Sequence, residues 1–212
     1  MKIFASLLNA NFLELGKDIK NMEESGIDGF HLDVMDGHFV PNISLGIPIA
    51  EALRKATKKP IDIHLMVRNS EKFVNYFKDY GEYITVHIEI SPEKSIKKIK
   101  EYGKIPGLAI NPKTEIKTIF PYLKDVELVL IMSVHPGFGG QSFIKDVLKK
   151  AEKVKKEKEN ITLAIDGGIN KEIIKEIRNY GFDIAVVGSH ITKSNNRKKI
   201  IKELKYVSTH NR

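Results

Sequence analysis

Four side chains able to hold a divalent cation lie late in short apolar runs. They are His31 and Asp33 in "GFHLDV" (29–34), His64 in "IDIHLMV" (61–67) and Asp166 in "ITLAID" (161–166). Residues two apart in an extended strand point to the same side. His31, Asp33 and Met35 therefore share one face, and His64 and Met66 share another. If both faces point inward, strands about 4.8 Å apart bring two imidazoles and a carboxylate to one ion. Asp166 would approach from across the mouth. Two nitrogens and two oxygens suit Zn²⁺, and also Fe²⁺, Mn²⁺ or Co²⁺. With no cysteine in the chain, disulfides and thiolate-held metals are excluded. A lone strand histidine is more often a hydrogen-bonded core group than a ligand. Two such histidines with two carboxylates, each costly to bury without a cation, point instead to a metal centre. His87 in "YITVHI" (83–88) is a further ligand or a support for one. Asp36 and His38 lie past their strand and shape the loop.

A second set of residues suits an anion. "HPGFGGQSF" (135–143), "DGGIN" (166–170) and "GSHI" (188–191) follow three successive apolar runs. Backbone N–H groups approach an anion closely only where side chains are absent. Phosphate sites in βα barrels favour the loops after the seventh and eighth strands. No G-x-x-x-x-G-K-[ST] occurs, which argues against a nucleotide P-loop.

The elements that must position these groups alternate along the chain. Strands are expected at 3–8, 29–34, 61–67, 83–88, 106–111, 128–134, 161–166 and 184–189. Amphipathic helices are expected near 12–25, 46–57, 70–80, 92–102, 114–122, 143–157, 170–179 and 196–206. Ser70 and Ser91-Pro92 read as helix starts. "ESGID", "DYGEY" and "NYGFD" place a glycine where a helix C-cap would sit. Eight such units over residues 1–212 predict one domain, a closed (β/α)₈ barrel with its chemistry at the C-terminal strand ends. A doubly wound open sheet is the alternative. Its dinucleotide-binding form needs a glycine fingerprint after the first strand, and "SLLNANF" has none.

The formal charge of +8 could suggest nucleic acid. Much of the lysine, however, lies in runs such as "KKAEKVKKEKE" (149–159), which read as a solvated helix face without stacking aromatics. No nucleic-acid partner is expected, although the positive field would speed an anionic substrate. The opening apolar run is too short for a signal core, and no run has the length of a membrane span. A cytoplasmic, non-membrane protein is expected. A homo-oligomer is left open.

"ASLLNANFLELG", "FHLDVMDGHFVPNISLG", "IDIHLMV", "MSVHPGFGGQSF", "AIDGGIN" and "VVGS" together resemble the ribulose-phosphate 3-epimerases over nearly the whole chain. The resemblance implies a (β/α)₈ barrel that interconverts ribulose 5-phosphate and xylulose 5-phosphate, a sugar-phosphate substrate, through an enediolate. It also implies one divalent ion, zinc before iron, manganese or cobalt. By motif, His31, Asp33, His64 and Asp166 would hold the metal, with His64 also close to the substrate. Asp33 and Asp166 would be the acid/base pair. Ser6 would touch the substrate, and Met35, Met66 and Met132 would line the pocket. Gly137, Phe138, Gly139, Gly140, Gly167, Gly168, Gly188 and Ser189 would hold the phosphate. His135 and the segment "GSHITKSN" depart from the family pattern at the phosphate end. A sibling enzyme acting on allulose 6-phosphate and a non-catalytic phosphosugar-binding protein are the alternatives. A decarboxylase on the same barrel would need a D-x-K-x-x-D cluster, which is absent.

Overall fold

The computed structural model describes residues 1–209. Eight parallel strands close on themselves in sequence order: β1 (Lys2–Ser6), β2 (Gly29–Met35), β3 (Ile61–Met66), β4 (Tyr83–His87), β5 (Ile105–Ile110), β6 (Leu128–Met132), β7 (Thr162–Asp166) and β8 (Ile184–Val187). The last strand pairs with the first, Phe4 lying beside Val186. Outside run α1 (Leu15–Glu24), α2 (Ile47–Ala56), α3 (Ser70–Phe77), α4 (Glu93–Glu101), α5 (Leu148–Glu157), α6 (Lys171–Ile177), the single turn α7 (Ser189–Thr192) and α8 (Arg197–Thr209). This is the expected barrel, and the open sheet is excluded. Among the described residues, no helix is long and apolar enough to cross a membrane.

The alternation of strand side chains makes two cores. Outward residues such as Leu32, Ile63 and Val86 pack with helix residues such as Ile19, Leu53 and Val74. Inside the barrel, Phe4, Ala109, Leu128, Leu130, Met132, Ala164, Ile184 and Val186 form an apolar cluster. The inward positions of β2 to β4 are polar instead: His31, Asp33, Asp62, His64, Thr85 and His87, all buried. The lumen is thus apolar on one side and ionisable on the other.

Ser70 starts α3 as expected, and the side chain of Asn69 caps it by accepting from the Lys72 N–H. Several other local expectations are corrected. Residues 116–122 form a 3-10 segment rather than an α-helix. Pro121 lies inside it and cannot donate to an α-helical ladder. Gly26 and Gly181 have the left-handed φ expected of a C-cap, but Gly81 does not. At Gly81 the constraint is space, because a Cβ would lie 2.7 Å from Ile63 Cγ1 and 2.9 Å from the Ile61 carbonyl. The lysine-rich α5 is not uniformly solvated. Lys150, Lys155 and Lys158 run along the barrel wall and donate to the carbonyls of Asn111, Ile161 and Leu123 at 2.7, 2.8 and 2.8 Å.

One seam holds the polar side of the lumen in place. Asp62 Oδ1 accepts from Thr85 Oγ1 at 2.7 Å, and Thr85 sits beside Gly107 in the β4–β5 register. A Cβ at Gly107 would lie 2.2 Å from Thr85 Oγ1 and 3.2 Å from Leu128 Cδ2. Gly107→Ala is therefore expected to lower unfolding stability by about 1–3 kcal/mol through overpacking. Urea denaturation checks this, and an unchanged midpoint would show that the seam can open at no cost.

Candidate active site

The β2–β3 register places Asp33 beside His64 and His31 beside Asp62. The four residues singled out in the sequence meet at the mouth. One donor atom from each of His31, Asp33, His64 and Asp166 lies within 4.8 Å of every other. His31 Nε2 is 3.2 Å from both His64 Nδ1 and Asp33 Oδ1, and 3.9 Å from Asp166 Oδ2. His64 Nδ1 is itself 3.2 Å from Asp33 Oδ1. Both imidazoles are fully buried.

Outer contacts hold each group. His31 Nδ1 lies 2.9 Å from Asp62 Oδ2, close enough for an ion pair but too oblique for a straight hydrogen bond. Ser6 Oγ donates to Asp33 Oδ2 at 2.8 Å. Ser44 Oγ donates to the Asp33 carbonyl at 2.5 Å and accepts from the Met35 N–H, locking the end of β2. His64 Nε2 is 2.9 Å from His87 Nε2, and His87 Nδ1 is 3.0 Å from Glu89 Oε2. His87 thus stands behind His64, outside the four-donor set.

The electrostatics follow from this crowding. Burial would by itself lower the His31 pKa, but the charge of Asp33, then Asp62, outweighs it and holds His31 well above its ordinary value. For Asp33, burial opposes ionisation, while His31 and then His64 overcome it and keep the carboxyl well below the usual range. Burial pushes His64 down to about 4. Asp166 is raised to about 7, first by burial and then by the charge of Asp33. Two carboxylates and two ring nitrogens thus converge at a largely buried point, and one carboxyl is driven toward its neutral form. A divalent cation at this point would satisfy all four. The residues fit one by donor type, by spacing and by charge.

Above this floor opens a cavity of about 650 Å³. Ser6, Asp33, Asp166 and the three methionines Met35, Met66 and Met132 line its inner end. Gly137, Phe138, Gly139, Gly140, Gly167, Gly168, Gly188 and Ser189 line its outer end. His31 and His64 are not on its wall; they lie beneath the floor. Asn42 Nδ2 donates to the Gly137 carbonyl at 2.6 Å, tying the loop after β2 to the loop after β6. At Gly139 a Cβ would lie 2.0 Å from Asn9 Nδ2, and at Gly168 2.7 Å from the Phe143 backbone nitrogen. These glycines let loops from different strands close together around the cavity.

Two departures from the family pattern now separate. His190 and Lys193 line the glycine-rich end of the cavity, whereas His135 lies outside it. Asp62 escaped the sequence reading, although it stands two residues before His64 on the same strand face. The i, i+2 rule that linked His31 to Asp33 would have found it.

A family model for the ribulose-phosphate 3 epimerase family matches residues 2–192. The chain belongs to the ribulose-phosphate 3-epimerase family. It is 41% identical over 213 residues to the ribulose-phosphate 3-epimerase of Bacillus subtilis, covering 97% of this chain and 98% of that protein. It is 44% identical over 211 residues to that of Methanocaldococcus jannaschii, covering 97% and 90%. At this similarity over nearly full length, the protein is an enzyme of the epimerase class. Among solved structures, 3-hexulose-6-phosphate synthase from Salmonella typhimurium superposes with a TM-score of 0.73 at 17% identity, covering 98% of both chains. KGPDC from Streptococcus mutans gives 0.75 at 12%, covering 98% and 96%. These last two likenesses concern the fold alone.

The raised Asp166 pKa predicts a stability signature in chelator-treated protein. The ordinary aspartate value is 3.8 and the folded value is about 7. Between them the folded state binds more protons than the unfolded one, so this group's contribution to stability falls as pH rises. Unfolding midpoints at about pH 4.5 and about pH 6 should therefore show a smaller pH-dependent loss in Asp166→Asn than in the wild type. Identical pH dependence in the two proteins would contradict the assignment.

Proposed function

We propose that this enzyme interconverts D-ribulose 5-phosphate and D-xylulose 5-phosphate, and that it needs one divalent ion, zinc before iron, manganese or cobalt. Family membership supports the reaction. The observation that carries the mechanism is the placement of Asp33 and Asp166. Two carboxyls from strands on different sides of the barrel border one cation-fitting cluster at the floor of a cavity. The glycine-lined far end of that cavity suits a phosphate.

Epimerisation next to a ketone removes the C3 proton and returns one to the opposite face, passing through an enediolate. When bound by His31, Asp33, His64 and Asp166, the ion would supply Lewis-acid stabilisation of the negative charge developing on substrate oxygens. The chain's own groups supply the proton steps. Without the ion, Asp33 is held ionised and Asp166 is pushed toward its neutral form, so the two carboxyls start from the opposed tuning of a base and an acid. Asp33 takes the C3 proton to leave the enediolate, and Asp166 then gives its proton to the opposite face. Before the next turnover in the same direction, Asp33 loses its proton to solvent and Asp166 takes one up. The Ser6 hydroxyl on Asp33 Oδ2 orients one oxygen of that carboxylate at the cavity wall. Met35, Met66 and Met132 add apolar walls that carry no exchangeable proton. The backbone of Gly167, Gly168, Gly188 and Ser189, with the loop 137–140, would receive the phosphate, leaving the sugar carbons over the carboxyls. We further propose that the barrel acts as a single-domain cytoplasmic enzyme; a rice relative, 38% identical over 197 residues, is named as the cytoplasmic isoform.

The two-base scheme is tested by deuterium wash-in at C3 with metal occupancy checked in each variant. Asp33→Asn and Asp166→Asn should each cut net epimerisation by at least about 10²-fold, as loss of a general acid or base does. Each should retain exchange from one epimer only, ribulose 5-phosphate in one variant and xylulose 5-phosphate in the other. Rapid epimerisation by either metal-loaded variant would reject the scheme.

A further inference from the structure

Behind His64, on the side away from the cavity, runs a line of polar groups that the proton transfers do not use. Its outer end is Glu89, whose side chain is one-fifth exposed. Glu89 Oε1 accepts from the Asn111 N–H at 2.9 Å and from Thr114 Oγ1, and its Oε2 faces His87 Nδ1 at 3.0 Å. Burial alone would raise its pKa, but His87, then Thr114 and Asn111, hold it below the usual range. Glu89 is therefore an acceptor at every contact, and an ionised carboxylate has no proton to give. The hydrogen between Glu89 and His87 must belong to His87 Nδ1.

The direction then propagates inward. With its hydrogen on Nδ1, His87 accepts at Nε2 when it is neutral, a condition that its ring-nitrogen shifts read directly. His87 Nε2 lies 2.9 Å from His64 Nε2, and two ring nitrogens at that distance need one hydrogen between them. With His87 accepting, His64 Nε2 carries it. His64 Nδ1 is left as a lone pair, and this is the atom 3.2 Å from Asp33 Oδ1 and from His31 Nε2. Rotation is blocked as well. His87 is fully buried, with its ring 4.6 Å from that of Phe39 and 5.0 Å from that of His64.

We propose that His87 and Glu89 are positioning residues that hold His64 in its Nε2-protonated tautomer, so that its Nδ1 lone pair is already aimed at the ion site. The two imidazoles of the cluster would then be oriented from opposite sides, His31 by Asp62 and His64 by the His87–Glu89 pair. The inference rests on the metal reading proposed above for its consequence; without an ion, the hydrogen between the His64 Nδ1 lone pair and the Asp33 carboxylate is that of His31 Nε2, 3.2 Å from both.

The test uses the full chain, with two readouts. Long-range ¹H–¹⁵N NMR of metal-free, histidine-labelled protein should show His64 protonated on Nε2 and His87 on Nδ1. His64 protonated on Nδ1 would overturn the proposal whether or not metal binds. Zinc affinity is then measured by competition with a chromophoric chelator, alongside the melting temperature of each metal-free variant. Glu89→Ala should weaken zinc binding about 10–100-fold, the effect of losing a group that orients a metal ligand. Glu89→Gln keeps its amide oxygen on the Asn111 N–H, which turns its NH₂ toward His87 Nδ1 and reverses that hydrogen bond; it should weaken zinc binding as Glu89→Ala does, and wild-type affinity in this variant would contradict the proposed direction. Thr114→Val removes a different contact of Glu89 and should leave affinity nearly unchanged. Equal zinc affinity in Glu89→Ala and wild type would overturn the proposal. So would a loss in Thr114→Val as large as that in Glu89→Ala, because loop packing rather than hydrogen-bond direction would then explain it. A wild-type protein that does not bind zinc or its congeners would instead overturn the metal reading, and with it the claimed consequence.

Discussion

Asp33 lies beside His64 and His31 beside Asp62 across the β2–β3 seam. A one-residue shift in that pairing would turn one strand's polar set outward into the helix layer. The register is therefore the constraint on which the mouth of the barrel depends. It is enforced from both faces. Outward-pointing Phe30, Leu32, Ile61, Ile63 and Leu65 are buried against the helices, and slippage would expose the lumen to their side chains instead. Ser44 adds a local lock by bonding the Asp33 carbonyl and the Met35 N–H at the strand end.

Concentrating ionisable groups on one side of the lumen is costly unless each is paired. The barrel meets that cost in layers. Gly107 leaves room for Thr85, Thr85 holds Asp62, and Asp62 faces His31. On the other flank, Asn111 and Thr114 hold Glu89, Glu89 holds His87, and His87 meets His64. Each chain of contacts starts near the rim or in the strand wall and ends on an imidazole. The opposite half of the lumen, from Phe4 round to Val186, is apolar and gives the charged half a dry wall. This low-polarity setting explains why Asp33 and Asp166, so close together, are driven to opposite protonation preferences.

Much of this was legible in the sequence because it depends on short-range rules. Period-two spacing linked His31 to Asp33, and short apolar or β-branched runs alternating with Lys/Glu-rich stretches located all eight strands to within two residues at each end. The four-donor cluster followed because each member sits late in its strand. What stayed hidden depends on partners distant in sequence. Asp62 was within reach of the i, i+2 rule from His64, but its role comes from its cross-strand neighbour His31. Glu89 lies just past a strand and gains its role from Asn111 and Thr114 on the next unit. Lys150, Lys155 and Lys158 looked like solvated helix charges, because composition does not reveal which carbonyls lie within reach of a long side chain. Residues 116–122 matched a helical pattern, but Pro121 limits them to a 3-10 path.

We infer that the crowding of His31, Asp33, His64 and Asp166 is organised for a cation. Diffraction from crystals of the protein grown with zinc, with data collected on both sides of the zinc absorption edge, tests it most directly. One strong anomalous peak is expected at the barrel mouth, with His31 Nε2, His64 Nδ1 and one oxygen from each of Asp33 and Asp166 at about 2.0–2.2 Å. A fully zinc-equilibrated crystal with no peak there, or with the ion held by other residues, would contradict it.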